Sequence, residues 1–275
     1  MIRSPLERLG RTVAGELASL ARRCRPPRRG TARILYYHRI DDEPHRSCVR
    51  PAAFAAQMSL LRAEGYRPLP LRALRRHLDD HEPFPERSVV VTFDDGFADN
   101  FRNALPILAR EGIPATVFLT AGYIGTAELP VLRDRRGVAP LTWQEATALA
   151  AAGIELGAHT LTHPSLTELG DEELRREVEG SRDRIEERTG HRPSSFCYPR
   201  GDFDERVKRA VRQAGFELAC TTLPGCVTPD THPFSLRRTF IAFDDTLRDF
   251  RRKLEGSFDL LHAARQRWGA AQARA

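Results

Sequence analysis

The sequence predicts an α/β fold: a parallel sheet wound with helices, its chemistry gathered at one end of the strands. Three observations predict it. From residue 31 onward, short apolar, β-branched runs alternate with helical stretches, and repeated βα units of this length make strands parallel. Two of the runs, Val89-Val90-Val91-Thr92-Phe93 and Ala115-Thr116-Val117-Phe118-Leu119, are apolar throughout, as strands covered on both faces are. Finally, His38, Asp94, Asp95 and His159 each stand where such a run stops, and chemistry in these folds collects at the carboxyl ends of strands.

Taken in order, residues 2–23 read as one helix. Ile2, Leu6, Leu9, Val13, Leu17 and Leu20 recur at steps of three and four and so share a face, while Arg3, Arg8, Arg11 and Arg22 line the others. Arg25-Pro26-Pro27-Arg28-Arg29-Gly30 breaks the helix and serves as a linker. Such a helix packs on its own domain or, being basic and amphipathic, lies on an anionic membrane face. Ile34-Leu35-Tyr36-Tyr37 is a strand. A helix with Pro51 at its start covers 51–64 and is followed by Gly65. A second helix covers 71–78. The strand 89–93 precedes a helix over 100–111, stopped by Gly112, and the strand 115–119 follows. Thr142 caps a helix reaching 152, with Glu145 completing a capping box. Further strands are expected over 154–158, 195–198, 216–221 and 236–241. Helices are expected over 171–189, 204–214 and 245–255. These boundaries divide the chain into a basic helix and linker (1–30), an α/β domain (31–256) and a tail (257–275).

Composition excludes several classes. In the 275 residues, 41% are hydrophobic and 29% charged, ordinary values for a globular chain and unlike a disordered one. Residues 1–30 hold eight arginines and two glutamates, which accounts for the whole net charge of +6. The remaining chain is neutral overall and lacks the basic face a nucleic-acid binder spreads over its domain. The five cysteines, Cys24, Cys48, Cys197, Cys220 and Cys226, are odd in number and form no CxxC pair, which points to free thiols in a reducing compartment. No apolar run is long enough to cross a membrane, and Arg8, Arg11, Gly15 and Glu16 interrupt every candidate signal-peptide core. The expected location is cytoplasmic, with a peripheral fraction on the inner membrane face held through residues 2–23.

Two motifs carry the chemistry: Thr92-Phe93-Asp94-Asp95-Gly96 and His159-Thr160-Leu161-Thr162-His163. Adjacent aspartates cannot both be buried and charged without a cation between or beside them. Taken alone, Asp-Asp-Gly also reads as a turn or a helix N-cap, and the histidines also read as surface residues. Pro164 disfavours helical conformation at His163, so His159 ends a strand and His163 returns after a tight turn. Joint occurrence at strand ends of one sheet favours an open divalent-metal site of one carboxylate and two imidazoles, with the spare carboxylate as a general base. His38 caps the first strand. The segment Phe196-Cys197-Tyr198-Pro199-Arg200-Gly201 ends another strand in a turn, either plain or presenting backbone N–H groups to an oxyanion.

Together these residues resemble the polysaccharide deacetylases, the NodB-homology or carbohydrate esterase family 4 proteins. Thr92-Phe93-Asp94-Asp95-Gly96 matches the first motif of that family, and His159-Thr160-Leu161-Thr162-His163 matches its second. The resemblance implies a distorted, incomplete (β/α) barrel. It implies Asp94 as catalytic base and Asp95, His159 and His163 as ligands of a divalent metal, Zn2+ by default, with Co2+, Ni2+ or Fe2+ suited to the same donors. Two departures stand out. Where the family's third motif has an arginine two residues before the proline, this chain has Cys197, and the base-orienting task falls to Arg238 or, as second choice, Arg237. The family's late catalytic histidine is also missing. Leu35-Tyr36-Tyr37-His38-Arg39 instead resembles the branch that includes the poly-N-acetylglucosamine deacetylases, in which this histidine sits on the first strand, making His38 the general acid. Tyr198, Pro199, Arg200 and Gly201 are expected at the substrate or oxyanion site. The expected reaction is hydrolysis of an N-acetyl group on an amino-sugar saccharide or glycolipid. A sugar O-acetyl esterase and a non-catalytic sugar-binding relative are the alternatives. An oxygenase iron site would leave Asp94 and His38 without tasks.

Overall fold

The computed structural model describes residues 30–127 and 138–259. The expected helix over 2–23 with its membrane contact, Cys24, and all but the first residues of the tail lie outside them. In chain order the described elements begin with β1 (Ala32–Tyr37), β2 (Arg39–Ile40), β3 (Cys48–Val49), α1 (Pro51–Ala63), β4 (Arg67–Pro68) and α2 (Leu74–Asp79). They continue through β5 (Ser88–Phe93), α3 (Leu105–Glu111), β6 (Ala115–Leu119), α4 (Trp143–Ala151), β7 (Glu155–Ala158) and α5 (Asp171–Thr189). The last are β8 (Ser195–Cys197), α6 (Glu205–Gln213), β9 (Leu218–Cys220), β10 (Arg238–Phe240) and α7 (Leu247–Leu254).

The main sheet runs β10-β1-β5-β6-β7-β8-β9, and each adjacent pair is parallel. The short β4 pairs with Ser88 and Val89 at the start of β5, before β6 joins the same edge at Val91. Across the remaining seam, Leu236 N–H donates to Ala219 O at 2.9 Å and Thr221 N–H to Leu236 O at 2.9 Å. The sheet is thereby nearly closed, a distorted (β/α) barrel wrapped in helices.

Alternation along the strands decides which side chains face the barrel interior. Ile34, Val90, Phe118, Cys197, Cys220 and Leu236 pack together inside. Their sequence neighbours Leu35, Val89, Val91, Val117, Phe196, Tyr198 and Ala219 belong to the larger core under the helices. Side chains alternate with period two, so His38, Asp94, His159 and Arg238 continue the inward rows of β1, β5, β7 and β10. Truncating a fully buried interior residue such as Phe118 would cost about 3–5 kcal/mol.

Most expected elements occur with ends shifted by one or two residues, and three differ further. The helix expected over 71–78 begins as a 3-10 turn, Leu71–Ala73. The helix expected over 100–111 opens as a wide π-type turn, Asn100–Ala104, because Pro106 has no N–H to give the preceding turn. The last helix starts after Thr246, whose hydroxyl and Asp249 form a capping box. Asp245 is instead buried, accepting from the Ala242 N–H and from Lys253. The two-residue strands β2, β3 and β4 are too short to leave a periodic signal.

Candidate active site and metal centre

The Asp94 N–H donates to Tyr37 O at 3.0 Å, extending the β5 ladder by one residue. On a continuing strand Asp95 would point to the opposite face. Instead Asp95 adopts φ +75° and Gly96 φ +77°, so the chain turns back and both carboxylates stay at the barrel mouth. Asp94 and Asp95 are 3% and 4% exposed, so each needs a strong partner.

Asp94 is held by Arg238, which is completely buried. The two terminal nitrogens of Arg238 meet the two carboxylate oxygens at 2.7 and 2.8 Å. The same guanidinium donates to Thr221 O at 2.9 Å, to Thr92 Oγ1 at 3.1 Å and to Cys197 Sγ at 3.0 Å, and it lies 4.4 Å from the centre of the Tyr36 ring. Burial pushes the Asp94 carboxyl up, but the Arg238 charge and its hydrogen bonds outweigh it and hold the group below its ordinary value. Arg237 faces outward and donates to Pro224 O. The small Cys197 side chain leaves room for a guanidinium that arrives from β10.

The second carboxylate faces two imidazoles. Asp95 Oδ1 is 3.4 Å from His159 Nε2 and 3.6 Å from His163 Nε2. The rings sit edge to face with centroids 4.8 Å apart. His159 continues β7, its N–H donating to Leu119 O at 2.8 Å, and its Nδ1 meets Cys197 O at 2.7 Å. That bond fixes the tautomer and leaves Nε2 toward Asp95, the outer-shell arrangement usual for metal-ligating histidine. His163 returns after a tight turn: its N–H donates to Thr160 Oγ1 at 2.9 Å. Burial pushes the His163 imidazole down, helped by the charge on His159, to about 4. Burial also opposes charge on His159, but the thiol of Cys197 and the hydrogen bond to Asp95 carry it above its ordinary value.

The donor set fits a divalent cation. One carboxylate oxygen and one nitrogen from each histidine lie within 4.8 Å of one another, and the pair of imidazoles with an acidic oxygen is the chemistry of an open zinc-type site. Four of the six non-glycine residues with positive φ among the described residues, Asp95, Thr160, His163 and Arg200, belong to this region. Each such conformation costs of order 1–3 kcal/mol and persists only where surrounding structure enforces it.

His38 follows β1 on its inward row. Its ring lies 5.9 Å from that of Tyr36 and 5.8 Å from that of Phe240. Asn100 Nδ2 fixes its carbonyl at 2.8 Å. Its buried Nδ1 has no hydrogen-bond partner among the described residues.

The segment after β8 divides. Tyr198 is on the outward row, and its side chain does not reach the site: it is buried, stacked 5.0 Å from Phe203, with its hydroxyl donating to Phe234 O at 3.0 Å. Its backbone N–H donates to Cys220 O at 3.1 Å. Pro199, Arg200 and Gly201 form a tight turn in which Gly201 N–H donates to Tyr198 O at 2.9 Å and Asp202 N–H to Pro199 O at 3.1 Å. Gly201 has φ +79°, and a Cβ there would fall 1.9 Å from Thr222 Oγ1, so the turn requires glycine. Sequence reading gives no role to Tyr36 or Thr92, although both lie in quoted motifs, and does not single out Glu177. For Glu177 a signal existed, since it falls in the buried stripe of α5 with Leu174, Val178, Ser181 and Ile185.

The family model for polysaccharide deacetylase matches residues 81–219. The chain is 29% identical over 210 residues to a putative polysaccharide deacetylase, YxkH, of Bacillus subtilis (strain 168), covering 76% of this chain and 71% of that one. It is 32% identical over 136 residues to the poly-beta-1,6-N-acetyl-D-glucosamine N-deacetylase of Escherichia coli (strain K12), covering 46% of this chain and 20% of that protein. Its fold superposes on the Streptococcus pyogenes deacetylase PplD, solved in complex with acetate, with a TM-score of 0.72 at 23% identity, over 82% of this chain and 98% of that one.

Proposed function

Because the chain belongs to the polysaccharide deacetylase family, we propose that it is a metal-dependent hydrolase removing N-acetyl groups from an amino-sugar oligo- or polysaccharide or glycolipid. The observation that carries this reading is the division of labour between neighbouring carboxylates. Asp94 is committed to Arg238, while Asp95 faces His159 and His163.

Asp95, His159 and His163 would hold the cation. A bound divalent cation, Zn2+ by preference, supplies Lewis acidity to the acetyl carbonyl and lowers the pKa of a water. Asp94 is the general base: held ionised by Arg238, it accepts the proton of the attacking water. Arg238 keeps both oxygens of that carboxylate oriented and is a positioning residue. Pro199 has no N–H and that of Gly201 is spent on Tyr198 O, so we assign the Arg200 N–H to the oxyanion. His38 gives a proton to the departing nitrogen, which would otherwise leave as an amine anion.

The test is acetate release from N-acetylated chitooligosaccharides, poly-N-acetylglucosamine and a lipid-linked N-acetylglucosamine, before and after chelation and Zn2+ restoration. Release that survives exhaustive chelation would sink metal dependence. Release from acetyl esters of sugars alone, with none from the amides, would replace this reading by the esterase.

A further inference from the structure

We propose that Glu177 is a positioning residue for the metal centre, holding the turn between the two histidines so that His163 faces Asp95. The proposal rests on the reading that Asp95, His159 and His163 are the ligands. Glu177 is 7% exposed, and every other acidic residue of α5 is less buried. Its Oε2 accepts from the Leu161 N–H at 2.8 Å and the Thr162 N–H at 2.9 Å, and its Oε1 accepts the Thr162 hydroxyl at 2.7 Å. These three donors all lie between His159 and His163. An apolar residue would satisfy the buried stripe of α5 equally well, but it would leave those donors without a partner. A carboxylate is the side chain that accepts three such bonds at once.

The turn has no hydrogen-bonded secondary structure of its own to hold it. Thr160 and His163 both sit at positive φ, +66° and +60°, so relaxation of this turn would move His163 first. Glu177 grips it from the α5 side. From the opposite side Gly122 N–H donates to Leu161 O at 2.8 Å and the Tyr123 hydroxyl to Thr162 O at 3.2 Å. The Leu161 side chain lies so close to α5 that a Cβ on Gly180 would come within 2.9 Å of it. The bonds of Glu177 go to Leu161 and Thr162, and it makes no hydrogen bond or ion pair with His159 or His163. Its effect on them passes through the backbone, as the partners of a ligating residue act.

The experiment measures Zn2+ affinity of the full chain by competition with a chromophoric chelator, alongside thermal melting of the metal-free protein. Wild type should bind one Zn2+, and His159→Ala should lose it. Glu177→Ala should bind about ten- to a hundredfold more weakly than wild type. Glu177→Gln should fall between, since its amide oxygen still accepts the two N–H groups while its NH2 cannot accept the Thr162 hydroxyl. If Glu177→Ala fails to fold, Glu177→Gln decides. Affinity equal to wild type in the folded variants, even with a lower melting temperature, overturns the proposal and leaves Glu177 a purely structural residue. A wild type that binds no Zn2+ overturns the ligand reading instead.

Discussion

Arg238, on β10, reaches across the barrel interior to Asp94, at the end of β5, and meets both its oxygens at 2.7 and 2.8 Å. β10 and β5 are not neighbours, since β1 lies between them. The ion pair therefore passes over the Tyr36 ring of β1 and ties the barrel seam, through Thr221 O, to the residue read as the base. With both partners almost fully buried, each leaves an uncompensated charge if the other is removed.

Arg238→Met should accordingly destabilise the fold by about 3–5 kcal/mol. It should also move the acid limb of kcat/KM to higher pH. The sign follows from the balance at Asp94: Arg238 holds the carboxyl below its ordinary value, and burial alone would raise it. The stabilisation from the pair is present above the ordinary aspartate range and fades as pH falls through the depressed value. Arg238→Lys should recover part of the stability but little of the rate, since an ammonium cannot meet both oxygens side by side. An unmoved acid limb in both variants would remove Arg238 from the orientation of the base.

Asp94→Asn should keep Zn2+ while turnover falls by about two to four orders of magnitude. Elemental analysis together with acetate release checks this. Loss of metal from that variant would mean that Asp94 and Asp95 have exchanged roles.

His159→Ala and His163→Ala should each lose most metal and activity together, with partial recovery in excess Zn2+. Wild-type affinity should rise with pH through neutrality. The cause is the proton on His159, whose imidazole is carried above its ordinary value beside Asp95, and which a cation must displace. Calorimetry in buffers of different ionisation enthalpy should record proton release on binding. No release at neutral pH would place the proton elsewhere.

The placement of the candidate site residues is legible because strand alternation and local turn chemistry agree. Val89 to Phe93 reads as a strand from its apolar, β-branched side chains alone, and the aspartates stand at its end. Tyr198 lies in the helix-side core for the same reason that Cys197 faces Arg238: one residue along β8 exchanges barrel interior for helix-side core. The choice of Arg238 over Arg237 is likewise a matter of strand parity, and it needs the register of β10 against β1, which the sequence does not carry. Glu177 escaped notice because its role is set by three donors from a turn packed on α5, a tertiary contact invisible in a helix that is otherwise charged. The barrel closure between β9 and β10 rests on a few hydrogen bonds around Leu236 and has no sequence signal of its own.

In the proposed mechanism His38 separates acid catalysis from the rest of the site. It stands on the inward row of β1, its carbonyl fixed by Asn100 and its Nδ1 without a partner among the described residues, so the ring is supported without being consumed by a structural bond at that atom. An amide needs its nitrogen protonated as it departs, whereas an activated acetyl ester releases a stable phenolate without help. His38→Ala should therefore leave Zn2+ affinity close to wild type and slow amide cleavage by about a hundredfold or more, with a much smaller loss on an activated aryl acetate. The ratio of the two losses is the diagnostic quantity, because a general disturbance of the site would depress both. Equal losses on amide and ester would make His38 a substrate-positioning or structural residue, and the leaving nitrogen would then need another proton donor.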